Sequence, residues 1–179
     1  MQLASATQAF SPSSVCQIPQ GPGQIAIDVS HAAVGLIDIL ILEGRFKAVP
    51  GMAQPPYIPG LEVAGTIRAV GAGVTEFVIG EKVVSMSAGP RTGGYASVYV
   101  APVGGVVSIE NSGVDPALAV ATIPNAAMAH VALTRVAHLE ASESVLVLDA
   151  LGGIPRCWSC SLQQAGGGIA HQAALRPAR

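Results

Sequence analysis

Residues 58–74 read IPGLEVAGTIRAVGAGV, and this stretch decides the fold class. Within it, residues 61–70 are rich in apolar and β-branched side chains and predict a long strand, which the turn residues 71–74 follow. Upstream, residues 24–29 (QIAIDV) alternate apolar and polar side chains, as a strand with one buried face does. Gly21, Pro22 and Gly23 supply a turn before that strand. The N-terminal part of the chain is therefore predicted to be rich in β-strands.

Three shorter apolar runs, at 82–86, 96–101 and 106–109, extend this pattern and are separated by glycines. Between the two longer strands, residues 36–42 are apolar apart from Asp38 and predict a short buried helix that ends at Gly44. Short strands with frequent turn signals are typical of a barrel-like β domain.

The pattern becomes helical from Asp115 onward. Pro116 suits the first turn of a helix, and Asn125 is expected to cap a second helix that runs to about Leu139. Residues 144–148 (SVLVL) predict a buried parallel strand, which leads directly into the sequence DALGG at 149–153. A β domain followed by a helix, a buried strand and a glycine turn is typical of the start of a nucleotide-binding domain.

The composition excludes several classes of protein. Charged residues make up 11% of the 179 residues, half of the chain is apolar, and the formal charge is -2. Disorder throughout requires low hydrophobicity, and nucleic-acid binding requires a basic surface, so neither is expected. The uncharged stretch 116–133 is interrupted by Pro124 and Asn125, so no membrane span is expected, and the N-terminus lacks a secretory signal. Three cysteines form no disulfide framework, which favours a reducing, cytoplasmic location.

Four blocks of sequence carry a resemblance to a known family. They are HAAVGLIDILILEGRF at 31–46, YIPGLEVAGTIRAVGAGV at 57–74, IGEKVVSM at 79–86 and GGYASVYV at 93–100. In this order they resemble the medium-chain dehydrogenase/reductase superfamily, and within it the zinc-independent quinone oxidoreductase branch. The resemblance implies a mainly β fold with α-helices, in which a GroES-like β-barrel domain precedes a Rossmann α/β domain that is truncated in this chain. It also implies hydride transfer from NADPH to a small-molecule quinone or enone, and it is compatible with a homodimer.

Two positions argue against a zinc site. Zinc-dependent relatives carry Cys where Gly35 lies and His where Leu61 lies, and neither replacement offers a donor atom. Glu62 remains, but one carboxylate does not form a site, and its expected role is structural. No metal is therefore expected.

The resemblance places six residues along the path of the cofactor and substrate: Asp38, Phe46, Asn125, Met128, Gly152 and Gly153. Asp38 either faces the cleft or serves as a helix-capping or ion-paired residue. Asn125 either lines the phosphate path or caps a helix. Phe46 and Met128 stand where the family often has Tyr and Thr, so each lacks a hydroxyl. No catalytic residue is assigned.

The glycine turn departs from the family pattern. Members carry a G-x-x-G-G-x-G-like turn whose amides approach the pyrophosphate, but here only Gly152 and Gly153 match. Asp149 would repel a phosphate, and Pro155 removes an amide donor. Residues 151–179 also hold three arginines, no acidic residue and no periodic apolar face. A frameshift or early stop near Gly153 would explain both features.

The expected organisation is a GroES-like substrate domain at 1–114, a helical connection and first Rossmann strand at 115–153, and an aberrant, disordered tail at 154–179. Each backbone amide lost from the glycine turn removes a charge-assisted hydrogen bond to the pyrophosphate, worth roughly 1.5–3 kcal/mol. No measurable NADPH binding is therefore expected from the chain alone. Two functions stay open. The chain is an NADPH-dependent quinone or enone reductase that is incomplete, or it is a non-catalytic GroES-like remnant that acts only in protein association.

Overall fold

A computed structural model of the chain describes residues 21–46, 56–86, 93–140, 143, 145–148, 152–154, 157 and 170–173. Its elements, in chain order, are β1 (Gln24–Ala32), α1 (Leu36–Leu42), β2 (Glu62–Val70), β3 (Lys82–Met86), β4 (Val98–Pro102), β5 (Val106–Ser108), α2 (Pro116–Val131), β6 (Val145–Leu148) and β7 (Ala170–Ala173). All six strands and the short helix predicted up to Leu148 are present, with bounds that differ by a few residues at most. The prediction that the helix is buried is wrong, because Leu36, Ile39 and Leu42 are exposed and Asp38 is its buried residue.

The first five strands form one antiparallel sheet in the order β4-β1-β2-β3-β5. β1 lies between β4 and β2, because its Ile27 pairs with Tyr99 of β4 on one side and with Ile67 of β2 on the other. The pairing of β1 with β2 shifts twice, after Ala26 and after Val29. Such irregularities bend a strand and increase its twist, so the sheet curls as a barrel-like domain requires.

The sheet has an apolar core on each of its faces. One face buries Ile25, Ile27, Val63, Ile67, Val83 and Tyr99. The opposite face carries Ala64 and Val84, against which Ala119 and Val120 of α2 pack. Burial of one large aliphatic side chain contributes about 1.5–3 kcal/mol, so the first cluster, which holds the larger side chains, stabilises the fold more than the second.

The close approach of β1 and β2 explains why residue 65 is a glycine. A Cβ at Gly65 would overlap the carbonyl oxygen of Asp28 on β1. The two strands therefore meet at a distance that no side chain at position 65 permits.

Helix α2 begins as predicted and continues where a break was expected. The carboxylate of Asp115 accepts hydrogen bonds from the amides of Ala117 (2.9 Å) and Leu118 (3.1 Å). The helix then passes through Pro124 and ends in a π-helical turn at Ala132–Val136. The prediction that Asn125 caps a second helix is therefore wrong. Packing of Ala119 and Val120 against the sheet outweighs the lost amide bond of Pro124.

The helical segment Pro116–Val136 is 21 residues long and has a mean hydropathy of 1.4 in its most apolar window, so by length and composition it could cross a membrane. The expected interruption at Pro124 and Asn125 does not break the helix. Ala119, Val120, Ala129 and Leu133 are buried. This one-sided burial is what a helix packed on a sheet shows.

The described residues after β6 include further regular elements. Ala170–Ala173 form β7, which pairs in parallel with β6, and Gly153, Ile154 and Cys157 are helical. The disordered tail at 154–179 stays a prediction. A parallel pair requires a connection of about a dozen residues or more, which residues 149–169 provide. A four-residue strand is too short to show a period in the sequence. The domain limits at 114 and 153 stay predictions.

Candidate functional site

Three loops meet at one end of the sheet and create the first part of the site. They are the residues after β1, the Pro59-Gly60-Leu61 segment before β2, and the Gly93-Gly94-Tyr95 segment before β4. The carbonyl of Gly60 accepts bonds from the amides of Gly93 (3.1 Å) and Gly94 (3.0 Å), and the Tyr95 amide donates to the Pro59 carbonyl (2.9 Å). The Ala33 amide donates to the Glu62 carbonyl (3.2 Å), which connects the loop after β1 to the start of β2.

Gly60 has a positive φ of 97° and lies directly against Tyr95. A Cβ at position 60 would lie 2.6 Å from Cδ1 of Tyr95 and 2.7 Å from its amide nitrogen. Only glycine allows both this conformation and this contact. The Pro-Gly step of the motif therefore positions the Tyr95 ring.

Asp38 lies in the first turn of α1 and is only 3% exposed. Its carboxylate accepts a hydrogen bond from the Gly35 amide (2.9 Å) and another from the Tyr95 hydroxyl. The single hydroxyl proton of Tyr95 is shared between this carboxylate and the Ala33 carbonyl, which lies 3.2 Å away. Burial and then the negative charge of Asp38 raise the pKa of Tyr95 to about 12. Asp38 thus caps α1 and also contacts the half-buried Tyr95.

Glu62 is the second buried carboxyl group of this region and is 7% exposed. Its pKa is raised from the ordinary value of 4.5, first by burial and then by the charge of Asp38. The buried Asp38 and Glu62 and the half-buried Tyr95 therefore form one cluster, called the carboxyl cluster below. The sequence assigns Glu62 a structural role and does not single out Tyr95. The sequence GGYASVYV at 93–100 contains the signal, since two adjacent glycines before an aromatic residue indicate close backbone packing.

The carboxyl cluster is not a zinc site by its residue types. Gly35 and Leu61 contribute no donor side chain, and the described ranges contain no group of three His, Cys, Asp or Glu residues arranged to hold a metal ion. The absence of zinc from the protein stays a prediction.

The second part of the site lies between α2 and the turn after β6. A Cβ at Gly153 would lie 2.6 Å from Nδ2 and 3.2 Å from Oδ1 of Asn125, so the glycine backbone packs directly on the amide side chain. Gly152 is half-buried beside it. Met128 lies one turn after Asn125 on the helix and is 59% exposed. The structure therefore brings together four of the six residues predicted for the cofactor path.

The other two predicted residues belong to a separate element. Asp38 lies on α1, and Phe46 is half-buried in the turn region that follows this helix. Neither residue lies on α2 or in the turn after β6, where Asn125 and Gly153 are found. Asp149 and Pro155 lie outside the described residues. The expectation of weak cofactor binding depends on these two residues.

Gly153 has no side chain, and it packs on an amide group that can donate and accept hydrogen bonds. In nucleotide-binding folds, a glycine turn of this kind follows a parallel strand. A curled antiparallel sheet that leads through one helix to such a turn defines the two-domain class of nicotinamide-dependent oxidoreductase folds.

Comparison with known proteins agrees with this class. The family model of the alcohol dehydrogenase GroES-like domain matches residues 21–111. The quinone oxidoreductase of Lama guanicoe is 35% identical over 131 residues, which are 73% of this chain and 38% of that protein. The chain belongs to the alcohol dehydrogenase GroES-like domain family, and with it to the medium-chain dehydrogenase/reductase superfamily.

Solved structures show the same fold. An alcohol dehydrogenase superfamily protein from Novosphingobium aromaticivorans superposes with a TM-score of 0.82 at 20% identity, over 92% of this chain and 49% of that one. A mycobacterial protein solved in complex with NADPH superposes with a TM-score of 0.73 at 27% identity, over 89% of this chain and 47% of that one. The predicted fold class is confirmed. The chain spans less than half the length of these relatives.

Proposed function

We propose that this chain supplies the substrate side and part of the nicotinamide side of an NADPH-dependent reductase that acts on quinones or enones. The observation that carries the proposal is the contact between Asn125 and Gly153, because the two residues were expected on the cofactor path for separate reasons and lie against each other. Family membership and the NADPH-complexed relative support it. We further propose that the reaction needs no zinc and takes place in the cytoplasm.

Bound NADPH supplies a hydride to an electron-poor carbon or oxygen of the acceptor. In this chain, Asn125 and the backbone of Gly152 and Gly153 would hold the cofactor, and the Met128 side chain would pack along it. Phe46 would cover the acceptor as an apolar wall. Asp38 contributes by fixing the start of α1 through the Gly35 amide, so that this edge of the cleft is rigid before the acceptor binds.

We propose that the chain binds the cofactor weakly, instead of not measurably as the sequence alone predicts, because the contact between Asn125 and Gly153 retains part of the glycine turn. Asp149 and Pro155 replace glycines in the turn, so one position repels a phosphate and another offers no amide. Loss of two or more hydrogen bonds of roughly 1.5–3 kcal/mol moves a micromolar site into the millimolar range. Assays of function therefore need millimolar NADPH.

The test is transfer of deuterium. The full chain is incubated with an α,β-unsaturated ketone and millimolar NADPH that carries two deuterium atoms at C4, and the product is analysed by mass spectrometry. We expect one deuterium in the saturated ketone. Asn125→Ala should reduce the yield roughly two- to tenfold, the loss of one hydrogen bond, whereas Glu76→Gln, a change of an exposed loop residue, should leave it unchanged. No deuterium above the protein-free background would contradict the proposal.

A role in association only is the second candidate, and one observation favours it. Apolar side chains stand exposed on the helices, among them Leu36 (70%) on α1 and Val136 (74%) after α2. Exposed apolar patches mark interaction surfaces. If the deuterium assay is negative while light scattering shows a concentration-dependent dimer, the association role replaces the reductase.

A further inference from the structure

We propose that two copies of this chain pair through the outward side of α2, with the two helices antiparallel and Arg135 of each copy beside Asp115 of the other. This interface does not depend on the proposed reductase function. Met128 would border the cofactor in that function, so the paired form is that of the chain without NADPH.

The first argument is an apolar helix that its own chain covers on one side only. In the most apolar part of the helical segment Pro116–Val136, 22% of the residues are buried. Ala119 and Val120 pack against the sheet, whereas Met128 and Val131 remain 59% and 47% exposed. A helix that is apolar on all sides is normally buried, so the outward side of α2 is suited to a partner.

The second argument is the spacing of the residues on the outward side. They recur at intervals of four, three, four and three, and are called the α2 stripe: Ala117, Ala121, Pro124, Met128 and Val131. All of them are exposed except Pro124, which is half-buried. Alternating intervals of three and four residues are the spacing by which two helices pack side by side. The α2 stripe therefore fits a second helix.

The sizes of the side chains decide the direction of the pair. Ala117 and Ala121 at the start of the α2 stripe are small, and Met128 and Val131 at its end are larger. Parallel helices would set alanine against alanine and leave a void there, because the larger pairs hold the helices apart. Antiparallel helices set Ala121 opposite Val131 and Pro124 opposite Met128, so small side chains face large ones. Both copies then use the same surface, as a two-fold symmetric pair requires.

The charges at the two ends of the segment favour the same direction. Asp115 is exposed at the start of α2, and Arg135 is exposed in the π-helical turn that follows it. The register that sets Ala121 opposite Val131 also sets Arg135 opposite Ala117, close to Asp115 of the other copy. Both cap hydrogen bonds of Asp115 use Oδ1, so Oδ2 would meet the guanidinium group. The pair thus contains two Arg135–Asp115 ion pairs between the copies.

Sedimentation equilibrium of the full chain, at micromolar to submillimolar concentrations and without NADPH, tests the interface. One helix per copy buries less area than a standard interface, so we expect a weak, concentration-dependent dimer. Val131→Lys should raise its Kd roughly tenfold or more, because the ammonium group would be buried between the helices. Leu118→Lys, which changes a 58% exposed residue of α2 outside the α2 stripe, should leave the Kd unchanged. Circular dichroism checks that both variants keep the helix.

Three outcomes would overturn the proposal. The first is a wild-type chain that stays monomeric over the whole concentration range. The second is a dimer that Val131→Lys and Leu118→Lys weaken equally. The third is a monomeric chain that cosediments with phosphatidylglycerol vesicles and loses this binding in Val131→Lys, because the α2 stripe would then contact a lipid surface.

A double-mutant cycle tests the direction of the helices. Asp115→Asn keeps an oxygen that can cap α2 and removes the charge, and Arg135→Gln removes the opposite charge. Each change should raise the Kd roughly two- to tenfold, and the double variant should dimerise no more weakly than either single variant. The two residues lie about 30 Å apart along one helix, so coupling between them requires contact between copies. Independent effects of the two changes would overturn the antiparallel pair.

Discussion

Gly60→Ala tests how tightly the loop before β2 is tied to Tyr95. The native φ of 97° is left-handed, and a side chain there costs roughly 1–2 kcal/mol. The added Cβ would also lie 2.6 Å from the Tyr95 ring and 2.7 Å from its backbone nitrogen. Because backbone cannot move aside as easily as a flexible side chain, this overlap adds about 1–3 kcal/mol. The expected loss of stability is therefore about 2–5 kcal/mol.

Gly73→Ala provides the matched control. Gly73 also has a positive φ, of 82°, but a Cβ there would meet nothing within 4 Å. The control therefore carries the conformational cost of roughly 1–2 kcal/mol without the overlap. The difference between the two variants isolates the contact with Tyr95.

Urea denaturation of the wild type and both variants measures these quantities. Extrapolated unfolding free energies should rank wild type, Gly73→Ala and Gly60→Ala in decreasing order, with about 1–3 kcal/mol between the last two and equal m-values. Equal destabilisation by the two changes would refute the reasoning, because it would show that the loop at Gly60 can move away from Tyr95 without cost.

Three other substitutions or measurements follow from the same structure. The pKa of Glu62 is raised in the folded state, so its contribution to stability is fully present below pH 4.5 and is lost as the pH rises. The melting temperature of Glu62→Gln should therefore equal that of the wild type near pH 4 and exceed it increasingly toward pH 8. Asp115→Ala should cost about 1 kcal/mol in urea denaturation, because the amides of Ala117 and Leu118 lose their cap, whereas Asp115→Asn should cost much less. Elemental analysis of the purified chain should find no stoichiometric zinc, and one zinc per chain would contradict this.

The sheet could be predicted from the sequence because each strand is decided locally. Alternation at 24–29 and the β-branched run at 61–70 place β1 and β2 within a few residues of their observed bounds. Local signals also place the start of α2, where Asp115 and Pro116 form a standard N-terminus.

The parts that could not be predicted depend on tertiary contacts. The helix continues through Pro124 because Ala119 and Val120 pack against the sheet. The sequence around Asn125 contains no pattern that predicts this packing. The carboxyl cluster joins residues of α1, β2 and the segment before β4, which are far apart in the sequence, so the pKa values of Glu62 and Tyr95 are raised only when the chain folds. β7 is found only through its pairing with β6.

The place of the cofactor is tested most directly by titrating the ¹⁵N-labelled full chain with NADPH and following the side-chain amide of Asn125 and the backbone amide of Gly153. Both signals should shift together, with half-saturation in the millimolar range, while Val83, in the core on the face of the sheet opposite α2, stays unchanged. No shift at either residue up to about 10 mM NADPH, well above the millimolar constant expected, would contradict the proposed cofactor site.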